Sequence, residues 1–422
     1  MEGTEAGMTA GMSRAQRRVR GLGALAVAAS WSVLFVGAAQ PAAADTQSKQ
    51  WYLSAMQAED MWKVTTGEGV KVAVIDSGVN SSTPSLQGQV LKGVDATEAP
   101  GDETDDYDGH GTTMAELIAG TGKGGGLKGL APGAKIIPLR VALGEFEKKK
   151  PSITIQDTAN AIRAAADGDA RIISMSFGGF YFSPQEHEAI KYAESKGKLL
   201  FAAVGNEGHK KNKQGYPAAF PEVVGIASAD RKGKVSFYSQ HAGTVDVASP
   251  GSDVPYWCDN SFKSYCDGDG GTSAATAIAS ASAALVWSLH PDWTANQVLN
   301  VLFDTAGRDW KKGETSKYLG HGLIRPSMNV LKGKGDPGDP DISPLTKERT
   351  TGPADPSKKP DASTSASPQP AKNGAEADKP VAAEEAKSSG DESQLGLILG
   401  VAAAVVVLGG VAYAVVRRRR AA

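Results

Sequence analysis

The chain is poor in cysteine and carries no excess charge of either sign. Its two cysteines, Cys258 and Cys266, are too few for a structural zinc site. Lys and Arg together number 45 against 47 Asp and Glu, a net charge of −2. That balance gives no reason to expect nucleic acid as a partner. Large apolar residues are almost absent between about residues 334 and 393, which excludes a folded core there. No Leu-Pro-x-Thr-Gly sorting motif precedes the C-terminal apolar run. Around Ser273 the second glycine of a Gly-x-Ser-x-Gly elbow is missing, which counts against an esterase.

What is present divides the 422 residues into five parts. Arg14, Arg17, Arg18 and Arg20 precede an apolar stretch over 22–36 and the small residues Ala42-Ala43-Ala44. This reads as a signal peptide over 1–44, the alternative being an uncleaved anchor. The flanks of Arg17-Arg18 fit a twin-arginine route poorly. Residues 395–416 are uncharged and are followed at once by Arg417 to Arg420. At about 1.5 Å per residue they can cross a hydrocarbon core of roughly 30 Å. The expectation is a transmembrane helix over 394–416 with a basic cytoplasmic tail at 417–422. The preceding domain then lies on the extracellular side of the membrane. Residues 333–393, rich in Pro, Ala, Ser and charge, read as a disordered tether. That leaves one globular domain over 45–332.

Within the domain, strand and helix patterns alternate. Short apolar runs at 70–75, 135–141, 170–175, 198–204, 223–227 and 244–247 read as strands, and 153–167 and 183–196 as helices. Residues 274–289 are small or apolar all round and read as a buried helix. The fold class expected is α/β, three layers, with a mostly parallel central sheet and helices on both faces. Sites in such folds lie outside the carboxyl ends of the strands.

Four segments carry chemistry there. They are Val74-Ile75-Asp76-Ser77-Gly78, Gly109-His110-Gly111-Thr112, Ala203-Val204-Gly205-Asn206-Glu207-Gly208 and Gly271-Thr272-Ser273-Ala274-Ala275. Three have a bland reading alone: a strand end for Asp76, a Gly-Asn turn for Asn206 and a serine N-cap for Ser273. Together, in the order Asp, His, Asn, Ser, they resemble the subtilisin-type serine proteases, the subtilases. The resemblance implies Ser273 as nucleophile, His110 as general base and acid, and Asp76 as the residue that orients His110. It implies the Asn206 amide as an oxyanion donor beside the Ser273 backbone N–H. Ser174-Met175-Ser176-Phe177-Gly178-Gly179 looks like the strand on which this family lays its substrate. The other histidines read as core or surface, His209 being notable for its place just after Asn206.

The resemblance covers about 51–331, including Trp51 to Trp62, Gly129 to Lys135 and Gly320 to Ile324. The whole layout, from signal peptide through subtilase domain and tether to terminal helix, looks like a mycosin. Mycosins are the membrane-anchored subtilases of actinobacterial type VII secretion. That implies protein or peptide substrates, a membrane partner through the C-terminal helix, and a place in a secretion complex. A catalytically weak scaffold is the competing reading. The short stretch between Ala44 and Trp51 leaves no room for a sizeable foldase propeptide, which fits mycosins. Two departures bear on activity: Thr276 stands where the family usually has Pro, and Glu116 where it usually has Gly. A buried Glu116 must find a partner or take a proton.

Cys258 and Cys266, both in the exported part, read as a disulfide rather than two free thiols. Asp102, Glu103, Asp105, Asp106 and Asp108 crowd the approach to His110. They form no clear calcium motif; a solvated loop, a preference for basic substrate residues and a calcium site are the three readings. Lys148-Lys149-Lys150 reads as a basic surface loop. No cofactor is required.

Overall fold

The computed structural model describes residues 46–143, 154–268 and 270–350. The expected signal peptide, transmembrane helix and basic tail lie outside them, as do most of the expected tether and Lys148 to Lys150.

Two short helices, α1 (Trp51–Ala55) and α2 (Ala58–Trp62), lead into strand β1 (Lys71–Asp76). There follow β2 (Val94–Asp95), α3 (His110–Ala119), β3 (Lys135–Arg140), α4 (Thr154–Asp167), β4 (Ile172–Met175), α5 (Pro184–Ser195), β5 (Leu199–Ala203), β6 (Val224–Ala229) and β7 (Val247–Pro250). A small hairpin, β8 (Tyr256–Trp257) and β9 (Tyr265–Cys266), precedes α6 (Thr272–Leu289), α7 (Ala295–Thr305) and α8 (Ser327–Val330). The seven longer-range strands form one parallel sheet in the order β2-β3-β1-β4-β5-β6-β7, as the alternation predicts.

Side chains alternate across this sheet. Val72 and Val74 of β1 enter one core, with α3, α6 and α7; Ala73 and Ile75 enter the other, with α4 and α5. Burial on both faces is why β1 reads as an unbroken apolar run. Helix α6 lies at the centre of the first core, and small residues let it approach the strands. Among the described residues it alone is long and apolar enough to cross a membrane, but its burial identifies it as a core helix. The ends of α5 and α7 follow local rules. Ser183 caps α5 ahead of Pro184, and Thr294 with Gln297 forms a capping box on α7.

Two expectations need correction. β7 starts at Val247, not Thr244, because the preceding residues enter a turn in which Val245 N–H donates to Ala242 C=O at 3.4 Å. The expected tether boundary at 333 also falls too early. Residues 333–350 lie along the domain: the amide of Asn300 donates to Pro337 C=O at 3.1 Å and that of Asn296 to Pro340 C=O at 2.9 Å. Leu345 packs on the main core, and Ser343 is buried. The strip is held largely through its own backbone carbonyls, which accept from side chains of the domain, so its composition stays polar.

Candidate active site

The strand order reverses at β1, so the crevice preferred by such folds opens at the carboxyl end of that strand. Asp76 is the last residue of β1 and is 1% exposed. His110 opens α3. Its Nδ1–H donates to Asp76 Oδ1 at 2.8 Å, the tautomer following from a carboxylate that only accepts. Asp76 Oδ1 also accepts from Ser77 N–H at 2.8 Å, while its Oδ2 is buried with no partner among the described residues. The His110 ring is about a third exposed, at 34%. Burial disfavours its charged form. The charge of Asp76 and the bond to it outweigh that cost, Asp108 and Asp106 add to the field, and the pKa rises from 6.5 to about 9.

The turn into α3 needs glycine. Gly109 has φ 90°, and a Cβ there would come within 2.9 Å of Asp259 C=O. The same turn is held by Asp106, which composition placed in an acidic surface cluster. Asp106 is buried. Its Oδ1 accepts from Gly109 N–H and Ser77 Oγ–H, both at 2.8 Å, and its Oδ2 from Thr112 N–H at 2.8 Å and Thr112 Oγ–H at 2.6 Å. It therefore caps the helix that carries His110, and through Ser77 it is linked to Asp76. Arg140, buried at the end of β3, ties the acidic loop to β2 through the carbonyl of Asp105 and the carboxylate of Asp95. Among the described residues no group of three or more His, Cys, Asp or Glu could hold a metal ion.

Ser273 is the second residue of α6. Gly271 before it has φ 101°, which glycine alone adopts readily. Ser273 Oγ–H donates to Ser176 C=O at 2.8 Å, and Ser176 Oγ–H returns a bond to Ser273 C=O at 3.1 Å. No hydrogen bond joins Ser273 to His110 among the described residues. Asn206 follows β5. Its Oδ1 accepts from Thr272 N–H at 2.9 Å and Thr272 Oγ–H at 3.0 Å. A backbone N–H can only donate, so the amide orientation is fixed and Nδ2 lies beside Gly271. The Ser273 N–H sits in the first turn of α6, where helical acceptors are lacking. The structure thus gathers Asp76, His110, Asn206 and Ser273 at one edge of the sheet.

The expected substrate segment divides in two. Ser174 and Met175 are the last two residues of β4, 1% and 0% exposed; both side chains are buried, and Met175 packs in the second core. Gly178 and Gly179 are exposed, with Ser176 and Phe177 leading to them, and Gly179 exchanges two backbone bonds with Tyr216 at 2.8 and 2.7 Å. The aromatic residues Phe180, Tyr181 and Phe182 stand exposed just beyond. On the other side, a cleft of about 520 Å³ is lined by His110, Asn206 and Gly271 together with Phe237, Tyr256 and Trp257. His209 also reaches it. Cys258 and Cys266 are joined by a disulfide with Cα atoms 5.0 Å apart, and this braces β8 to β9.

Glu116 is 0% exposed, on α3. Its Oε1 accepts from Thr83 Oγ–H at 2.9 Å and its Oε2 from Tyr265 O–H at 2.6 Å. Burial lifts its pKa to about 7 against the pull of those bonds. Thr276, also buried, donates its hydroxyl to Thr272 C=O at 2.8 Å.

A parallel sheet that sets an acid, an imidazole and a serine hydroxyl at its carboxyl edge defines a serine-type hydrolase. Residues 67–322 match the subtilase family, and the chain belongs to it. It is 33% identical over 280 residues to thermitase of Thermoactinomyces vulgaris, covering 64% of this chain and 95% of thermitase. Among solved structures it is similar to MycP1 from Mycobacterium smegmatis, with TM-score 0.59 and 26% identity, covering 71% of this chain and 88% of that one. It is similar also to the MycP3 protease from the type VII (ESX-3) secretion system, with TM-score 0.56 and 27% identity, covering 67% of this chain and 88% of that one. The protein is a serine-type endopeptidase with the subtilisin-like fold, related to mycosins.

Proposed function

We propose that this chain is a membrane-anchored endopeptidase acting on secreted proteins at the outer face of the cell membrane, with Asp76, His110 and Ser273 as its triad. The observation that carries the reading is the 2.8 Å bond between His110 Nδ1 and Asp76. It leaves Nε2 as the free base, on a residue that lines the cleft. For the reaction, the Ser273 hydroxyl exchanges the Ser176 carbonyl for Nε2 as its acceptor. The hydroxyl then attacks the scissile carbonyl while His110 takes its proton. Charge collects on the carbonyl oxygen, and the Asn206 Nδ2–H and the Ser273 N–H are its donors. His110 returns the proton to the leaving amine. Water then releases the acyl group by the same route. The backbone of Ser176 to Gly179 offers the acyl half of the substrate an extended partner. The reaction uses no cofactor.

Membrane anchoring is supported by the terminal apolar run and its four arginines, and a role in secretion by the likeness to MycP1 and MycP3. A second reading, a weakly active scaffold, is favoured by the bond that turns Ser273 toward Ser176. Expressing the full chain and its Ser273→Ala variant, with secretion and peptide cleavage followed together, separates the two. The protease reading expects both to fail in the variant. Secretion that continues undiminished without cleavage would support the scaffold.

A further inference from the structure

The disulfide hairpin β8–β9 meets the helix that carries His110 at three points. Trp257 N–H donates to Thr113 Oγ at 3.0 Å. The carbonyl of Asp259 closes on Gly109. The third point is Glu116, six residues along the helix from His110, which receives the Tyr265 hydroxyl at 2.6 Å. The Tyr265 ring stacks on Trp257, with centroids 3.8 Å apart. The indole N–H of Trp257 faces the same carboxylate, yet completes no hydrogen bond among the described residues. Tyr256, Trp257 and Cys258 line the 520 Å³ cleft together with His110 and Asn206. None of Ser174 to Gly179 lines it. The acyl half of a substrate lies along Ser176 to Gly179, so this cleft is left for the leaving half.

A buried carboxylate is a costly way to fill space unless fixed donors satisfy it. Here the donors come from two other segments, Thr83 and Tyr265. Charge-assisted bonds of this kind are short and directional, so they set a distance where apolar packing alone would let the hairpin slide. We propose that Glu116 is a positioning residue, which holds the aromatic wall of Tyr256 and Trp257 at the spacing from His110 that admits apolar or aromatic residues on the leaving-amine side of the scissile bond. This rests on the protease reading above.

The test uses the full chain with Glu116→Ala, Glu116→Gln and Tyr265→Phe. One readout is the rate at which dithiothreitol reduces the Cys258–Cys266 disulfide. The other is KM and kcat for two substrates that share an acyl half. One ends in a small anilide; the other continues through three residues with an aromatic next to the scissile bond. Loss of the Glu116–Tyr265 bond, common to Glu116→Ala and Tyr265→Phe, predicts about tenfold faster reduction and about tenfold higher KM for the extended substrate. The anilide should suffer much less, and Glu116→Gln, which keeps an acceptor for Tyr265, should restore most of the loss. Unchanged reduction rates, or equal losses on both substrates carried by kcat, would overturn the proposal. An unaltered chain that cleaves neither substrate would overturn the protease reading and the substrate half of this proposal; the reduction rates would still decide whether Glu116 holds the wall.

Discussion

Thr276 and Glu116 depart from the pattern of the family, and each is accommodated by its own chemistry. The Thr276 hydroxyl turns back onto a carbonyl of its own helix. Glu116 finds two hydroxyls. Neither partner is legible in sequence, because Thr83 and Tyr265 lie 33 and 149 residues away. The same holds for Asp106, whose cap on α3 hides within an acidic run that composition reads as solvated. Asp76, His110, Asn206 and Ser273 stand out in the sequence because the roles proposed for them require particular neighbours within a few residues. His110 gives a prediction with a definite sign. Its folded pKa is raised, to about 9, so the Asp76–His110 pair stabilises the fold fully below the unfolded value near 6.5 and ceases to do so as pH rises through 9. Catalysis needs the neutral ring, so kcat/KM should climb on the alkaline side, with a midpoint well above 6.5. A pH–rate profile already flat from pH 6.5 would contradict this. For Asn206→Ala, kcat should fall about 10²–10³-fold with little change in KM, the loss seen for an asparagine in this role in subtilisin. Steady-state kinetics on a peptide substrate reads it directly.

At the scale of elements, the long strands and α6 were readable because burial on both faces imposes unbroken apolar runs. The two-residue strands β2, β8 and β9 are too short to print any periodicity. Helices α1 and α2, five residues each, fall below the length at which a helical stripe repeats. The hairpin is a different case: its cysteines were visible, but its place as a cleft wall depends on packing against α3. Closing a loop with a sequence separation of 8 should contribute about 2–3 kcal/mol by chain entropy. In a Ser273→Ala background that prevents autolysis, replacing both cysteines by serine should lower Tm by roughly 5 °C. Calorimetry that shows no change would mean that Glu116 and Thr113 alone hold the hairpin.

The folded domain extends further along the chain than composition suggests. Pro, charge and few large apolar residues mark 333–350 as tether, yet this strip supplies acceptors to Asn296 and Asn300 and sets Leu345 on the core. In the same serine-free background, a chain ending at 332 should melt several degrees below one ending at 350, since it loses these bonds and the burial of Leu345. Identical melting curves would show that the strip is passive. The central claim concerns the assembled site, and labelling the full chain with a fluorophosphonate tests it most directly, beside Ser273→Ala and His110→Ala. The account predicts covalent modification at Ser273 that disappears in the first variant and falls by several orders of magnitude in the second. A folded chain that stays unlabelled, or labels equally without His110, would contradict it.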